Sequence, residues 1–201
     1  MLALIDYGAG NLTSVRKGFA AVGADLFTPR SPDDLARATG IIVPGVGHFA
    51  ATAALDEPWR TAIGSAVRAG RPLLGICLGL QWLFDGSEEA TDLCGLGVTS
   101  GMCTRLPSGE GLKVPHVGWN TLTPIRTARL LDGISEGASV YFTHSYAAPV
   151  TAACAATSTH GATFAAVVET GHVFGVQFHP EKSGDAGLRI LKNFVEAAGA
   201  R

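Results

Sequence analysis

Three short apolar runs alternate with amphipathic helical patterns in the first half of the chain, and this alternation constrains the fold more than any other feature. Residues 2–6, 41–43 and 72–76 read as strands. Between them, Leu12, Val15, Phe19 and Val22 share one helical face that Gly23 ends, and a further helix covers residues 59–69 before Gly70. Ser31-Pro32-Asp33-Asp34 carries a helix start: a capping hydroxyl, a proline in the first turn and acids at the positive end. Strand–helix units this short close by right-handed crossovers, which puts the strands in a parallel sheet with helices on its faces.

The second half changes character. Residues 112–125, 140–146, 151–156 and 163–178 read mostly as strands, with a turn at Glu169-Thr170-Gly171-His172. A closing helix turns Leu188, Leu191, Phe194 and Val195 inward. With 201 residues, 47% of them hydrophobic, the chain buries one core and is too short for two large ones. The expectation is a single α/β domain over residues 1–201, with a central, mostly parallel (mixed) sheet flanked by helices.

Charge and cysteine content remove several function classes. The formal net charge is -2 and no basic stripe interrupts the sequence, which argues against nucleic acid or an anionic membrane as the main partner. The apolar runs break well short of the ~20 residues a membrane helix needs. The chain opens on an apolar strand instead of a basic leader, so a cytoplasmic location is expected. Cys77, Cys94, Cys103 and Cys154 are then expected as reduced thiols, the last three as inert small hydrophobes. No CxxC, HxxxH or HExxH spacing occurs, so neither a metal nor another cofactor is expected. His48 and His116 lack partners at ligand spacing and read as structural, while Asp6 ends a strand and Asp85 begins a loop.

Chemistry concentrates in three stretches. Leu74-Gly75-Ile76-Cys77-Leu78-Gly79-Leu80-Gln81 switches from strand to helix at a cysteine flanked by glycines. That is the pattern of a nucleophile elbow, whose strained, close-packed turn tolerates no Cβ on its neighbours. Helix N-terminal N–H groups there favour a thiolate and can hold a developing oxyanion. Val176-Gln177-Phe178-His179-Pro180-Glu181 follows an apolar strand. Proline disfavours helix at His179, so the His-Pro-Glu triplet should be extended and its two ends should point the same way as an imidazole–carboxylate pair. Val43-Pro44-Gly45-Val46-Gly47-His48 leaves a strand as a Gly-rich turn able to bring backbone N–H groups close to a ligand, although a plain tight turn accounts for the same residues. All three stretches fall at strand C-termini, where open α/β sheets place their sites.

GICLGLQ together with FHPE, over essentially the whole chain, resembles the class I (triad) glutamine amidotransferases, whose domain is flavodoxin-like. The segments YGAGNL, PGVG, PHVGWN and YFTHSY strengthen the resemblance, as does the HPEKSG that carries the pair. It implies that Cys77 attacks the amide carbon of glutamine while His179, oriented by Glu181, activates the thiol. It also implies an oxyanion hole from Leu78 with Val46 or Gly47, and a substrate wall of Gln81, His144, Ser145 and Tyr146. Asn11, Trp119, Tyr141 and Lys182 would face a partner, a separate cyclase subunit with a (β/α)8 barrel, which receives the ammonia within a heterodimer. The isolated chain is then expected to be weakly active, its Gly-rich turn presenting the oxyanion N–H only in the complex.

Overall fold

The computed structural model describes residues 1–199; residues 200 and 201, the end of the expected domain, lie outside the described residues. In chain order the first half consists of β1 (Leu2–Leu4), α1 (Leu12–Ala21), β2 (Leu26–Phe27), β3 (Ile41–Val43), α2 (Glu57–Arg68), β4 (Leu73–Ile76) and α3 (Leu78–Trp82). Asn11 caps α1 by accepting the Ser14 N–H at 3.1 Å, and Asp56 caps α2 through the Trp59 N–H at 3.3 Å. The helix start at Ser31 yields only a 3₁₀ helix, Pro32–Arg37. β3 begins shortly afterwards at Ile41, which leaves no room for further α-helical turns.

The second half contributes β5 (Gly86–Ser87), β6 (Met102–Arg105), β7 (His116–Thr121), β8 (Thr123–Pro124), β9 (Ser139–His144), β10 (Tyr146–Ala147), β11 (Cys154–His160), β12 (Ala162–Thr170), β13 (Val173–Val176) and α4 (Gly184–Ala197). The main sheet runs β2-β1-β3-β4-β13-β12-β11-β8. Its first five strands are parallel, and the last three are antiparallel to their neighbours, giving the mixed sheet. Strand pairing redraws several sequence boundaries. Residues 112–125 divide into β7, which forms a separate ribbon with β9, and β8 at the sheet edge. Residues 140–146 break at Ser145, because β10 leaves β9 to pair with β6. The polar stretch Thr157–His160, in no expected strand, is held extended by its pairing with β12.

Alternation along the central strands divides the core in two. Leu2, Leu4, Ile42, Leu74 and Ile76 pack on one face with Phe19 of α1 and Leu191 and Phe194 of α4. Ala3, Ile41, Val43 and Leu73 pack on the other with Ile63 of α2 and Leu80 and Trp82 of α3. Phe194 meets Phe19 and Phe174 edge-on, with ring centroids 6.4 and 5.8 Å apart. In α4, Ile190 and Asn193 are buried as well, while Leu188 is half-buried. Among the described residues no helix is long and apolar enough to cross a membrane.

Candidate active site

The C-terminal ends of β3, β4 and β13 bring the three reactive stretches together. Cys77 links β4 directly to α3 with φ 52°, ψ -104°, and among the described residues no other non-glycine residue has a positive φ. The tertiary structure holds that strained turn at both ends. The Cys77 N–H donates to Val176 O at 2.8 Å, and the Gln81 N–H donates to Cys77 O at 3.1 Å. The flanking glycines have the expected steric role. A Cβ on Gly75 would lie 2.5 Å from Gly79 O, and one on Gly79 would lie 1.8 Å from Val43 O. Because α3 has only five residues, its macrodipole is small, and local donors and charges decide the state of the sulfur.

His179 and Glu181 form the expected pair, with Nδ1 of the imidazole 2.9 Å from Oε1 of the carboxylate, both side chains almost fully buried. The backbone differs from the expectation. His179 is extended, but Pro180–Lys182 is a 3₁₀ turn. Proline keeps only the residue before it extended, while its own φ suits the first helical position. The turn folds Glu181 back onto His179, and the Ser183 hydroxyl closes it by donating to His179 O at 2.6 Å. Burial works against a charged imidazole, but Cys77 and Glu181 outweigh it and hold the His179 pKa well above its ordinary value. The arrangement therefore favours the charged imidazolium of His179.

The Gly-rich turn lies against the elbow, where Gly45 O accepts the Leu78 N–H at 3.3 Å. This N–H, expected to face an oxyanion, is thus engaged by the turn itself. Gly47 adopts φ 102° and lines a cleft that also exposes Cys77, Leu78, Gln81, Ser145 and Tyr146.

The decisive observation is that this elbow, pair and turn lie within one family match: a family model described as "Glutamine amidotransferase class-I" covers residues 3–198. The chain belongs to the class-I glutamine amidotransferases. Among curated relatives it is similar to the imidazole glycerol phosphate synthase subunit HisH of Gloeobacter violaceus, at 49% identity over 100% of this chain and 91% of the relative. The HisH of Natronomonas pharaonis is 47% identical over 97% of this chain and 94% of its own length. A crystal structure of a glutamine amidotransferase superposes with a TM-score of 0.78 at 19% identity, covering 100% of both chains, which supports the fold alone.

Within this amidotransferase, His144 lines the cleft, yet both its ring nitrogens are taken by the protein. Nδ1 lies 2.9 Å from Tyr146 O, and Nε2 lies 3.0 Å from Nδ1 of His116. A carbonyl only accepts, so Nδ1 of His144 carries its proton, Nε2 accepts, and Nδ1 of His116 is the donor. His116 Nε2 then accepts from the Asn120 amide at 3.3 Å. His116 is therefore partnered, though not at metal spacing, and stacks between Phe142 and His160. Burial pushes His116 down to about 4 and His144 to about 3, so both stay neutral near pH 7.

Trp119 is 58% exposed and packs edge-on against Tyr141 at 6.0 Å, while Lys182 Nζ stands 5.7 Å from the Tyr141 ring. Asn11 is exposed as well and also borders a small crevice with Val46, His179 and Glu181. His48 caps the 3₁₀ helix Phe49–Ala54, its Nδ1 accepting the Ala50 N–H. Cys103 and Cys154 are buried, but Cys94, expected like them as an inert small hydrophobe, is exposed. Sequence reasoning missed Glu89, which enters the cleft from the loop after β5, and Gln177, whose side chain donates to Cys77 Sγ at 3.6 Å. The available signal for Gln177 was strand alternation, which sends residues 177 and 179 to the same side.

Proposed function

We propose that the chain is the glutaminase subunit of imidazole glycerol phosphate synthase, hydrolysing glutamine and passing the ammonia to a cyclase subunit in histidine biosynthesis. The reading is carried by one observation: the strained Cys77 at the end of β4 acts directly on the imidazole of the buried His179–Glu181 pair. Cys77 Sγ attacks the amide carbon, and His179 protonates the departing nitrogen, so ammonia leaves and a γ-glutamyl thioester remains. His179 then takes a proton from water, whose attack releases glutamate and restores the thiol. Glu181 holds the imidazole and stabilises its charged form.

Gln81, Ser145 and Tyr146 border the substrate, with His144 acting behind them through the Tyr146 carbonyl. The Glu89 carboxylate suits the ammonium group of the amino acid. Leu78 with Val46 or Gly47 forms the oxyanion hole once Gly45 O releases the Leu78 N–H. While that hydrogen bond stands, the hole is one donor short, so the isolated chain should hydrolyse glutamine slowly. Trp119, Tyr141, Lys182 and Asn11 contact the cyclase, a (β/α)8 barrel, in a cytoplasmic heterodimer. An exposed tryptophan stacked on tyrosine suits an interface anchor.

The test is glutamine hydrolysis with and without the cyclase and its nucleotide, for the wild type and Cys77→Ser. The expected result is stimulated turnover in the wild-type complex and none in C77S. Full activity of the isolated wild type would refute the closed oxyanion hole, and turnover in C77S would refute the nucleophile.

A further inference from the structure

Gln177 is fully buried at the end of β13, two residues before His179, and the proposed chemistry leaves it without a role. Its side-chain nitrogen lies 3.6 Å from Cys77 Sγ, and its oxygen lies 3.3 Å from the side-chain nitrogen of Gln81. Two amides in contact could be oriented either way, and the hydrogen-bond network decides between the alternatives. Gln81 Nε2 is 2.8 Å from Tyr146 O, a carbonyl that can only accept, so this end of Gln81 is its donor end. The second N–H on the same nitrogen faces Gln177, which must answer with oxygen. The Gln177 nitrogen is then left facing the sulfur. Tyr146 O is anchored from the other side by His144 and, behind it, by His116 and Asn120.

We propose that Gln177 is a further catalytic residue: it donates a hydrogen bond to Cys77 Sγ that stabilises the thiolate, with Gln81 and Tyr146 O setting its orientation. This rests on the reading of Cys77 as the nucleophile. A buried N–H directed at sulfur gains more from the charged form than from the thiol, so it shifts the balance toward the thiolate. The donor also restrains the sulfur, whose resting alternative is a 3.8 Å contact from the thiol to Thr143 O on β9. The other titratable groups acting on the sulfur are His179, with Glu181 behind it, and Tyr7 beyond the end of β1.

The experiment follows iodoacetamide alkylation of Cys77 against pH in the full chain, with Cys77 resolved by peptide mass spectrometry because the exposed Cys94 is alkylated too. Gln177→Met keeps the side-chain length and removes the donor, while Gln177→Glu replaces it with a negative charge. Near pH 7 the Met variant should alkylate about tenfold more slowly, its profile moved up by about one pH unit, as the loss of one charge-assisted hydrogen bond requires. The Glu variant should move further in the same direction. A folded Gln177→Met with the wild-type profile overturns the assignment of Gln177 alone. If a glutamine-analogue alkylator fails to label Cys77 in the wild-type complex, the nucleophile reading falls, and this assignment with it. Should the variants not fold, side-chain amide NMR of the wild type decides. The Gln177 N–H signal should move when Cys77 is alkylated, and a signal that stays in place overturns the proposal.

Discussion

Gly79→Ala is expected to be the most damaging single-methyl change near the site. The added Cβ would fall 1.8 Å from Val43 O and 2.8 Å from Val43 C, where real Cβ atoms essentially never come within 3.0 Å. The shortfall, 3.0 minus 1.8, is at least 1.2 Å against a backbone atom. Val43 cannot yield cheaply, since it is buried at the end of β3 between β1 and β4. Gly79 cannot retreat either, because Gly75 and β4 lie behind it. Overpacking a well-filled core costs about 1–3 kcal/mol, and a clash between two backbones belongs at or above the top of that range. With an m-value of about 2 kcal/mol/M, a loss of about 3 kcal/mol lowers the urea midpoint by about 1.5 M. Gly64→Ala, inside α2, is the matched control. Its Cβ would meet only the flexible tip of Arg68 at 3.3 Å, and alanine should stabilise the helix by up to about 1 kcal/mol. Urea unfolding of both variants, with glutamine turnover in the complex, makes the comparison. A Gly79→Ala midpoint within about 0.5 M of the wild type, corresponding to about 1 kcal/mol, would refute the steric argument, as would an equal fall in Gly64→Ala.

Other expected outcomes probe the polar side of the site. Glu181→Gln should lower the glutamine turnover number on the order of a hundredfold or more, with little change in KM, because it removes the charge that favours the His179 imidazolium; a near-normal turnover number in steady-state assays would contradict this. Tyr7→Phe should unfold in urea no more readily than the wild type, because the Tyr7 hydroxyl is buried without a partner, and its removal should change stability by about 0 to 1 kcal/mol in the favourable direction. Acid should destabilise the fold through His116 and His144. Their folded pKa values lie below the unfolded value, so the unfolded chain binds more protons and stability falls as pH drops from about 6.5, by up to about 1.4 kcal/mol per unit for each histidine, levelling off only near their folded values. His179 is shifted the other way: its contribution is full below about 6.5 and fades only at higher pH, so it cannot produce that loss. Urea midpoints that stay flat between pH 7 and 5 would show that the pair is not held neutral.

Local patterns in the chain were enough for the alternation of strands and helices, the cysteine elbow and the adjacency of His179 and Glu181. Each depends on contacts within a few residues: the apolar period, the glycines beside Cys77, and the proline between the histidine and the glutamate. Tertiary structure decided what local preference leaves open. Only the pairing of β10 with β6 breaks the 140–146 run at Ser145 and gives the cleft its wall. Only the packing of the Gly-rich turn on the elbow engages the Leu78 N–H with Gly45 O. The roles of His144 and Gln177 lay beyond the motifs for the same reason. Their hydrogen-bond partners are 28 and 100 residues away in sequence, and a donor or acceptor takes its role from the partner the fold supplies. Local pattern marks the residues proposed to react; the fold decides which of them are restrained at rest, and by what.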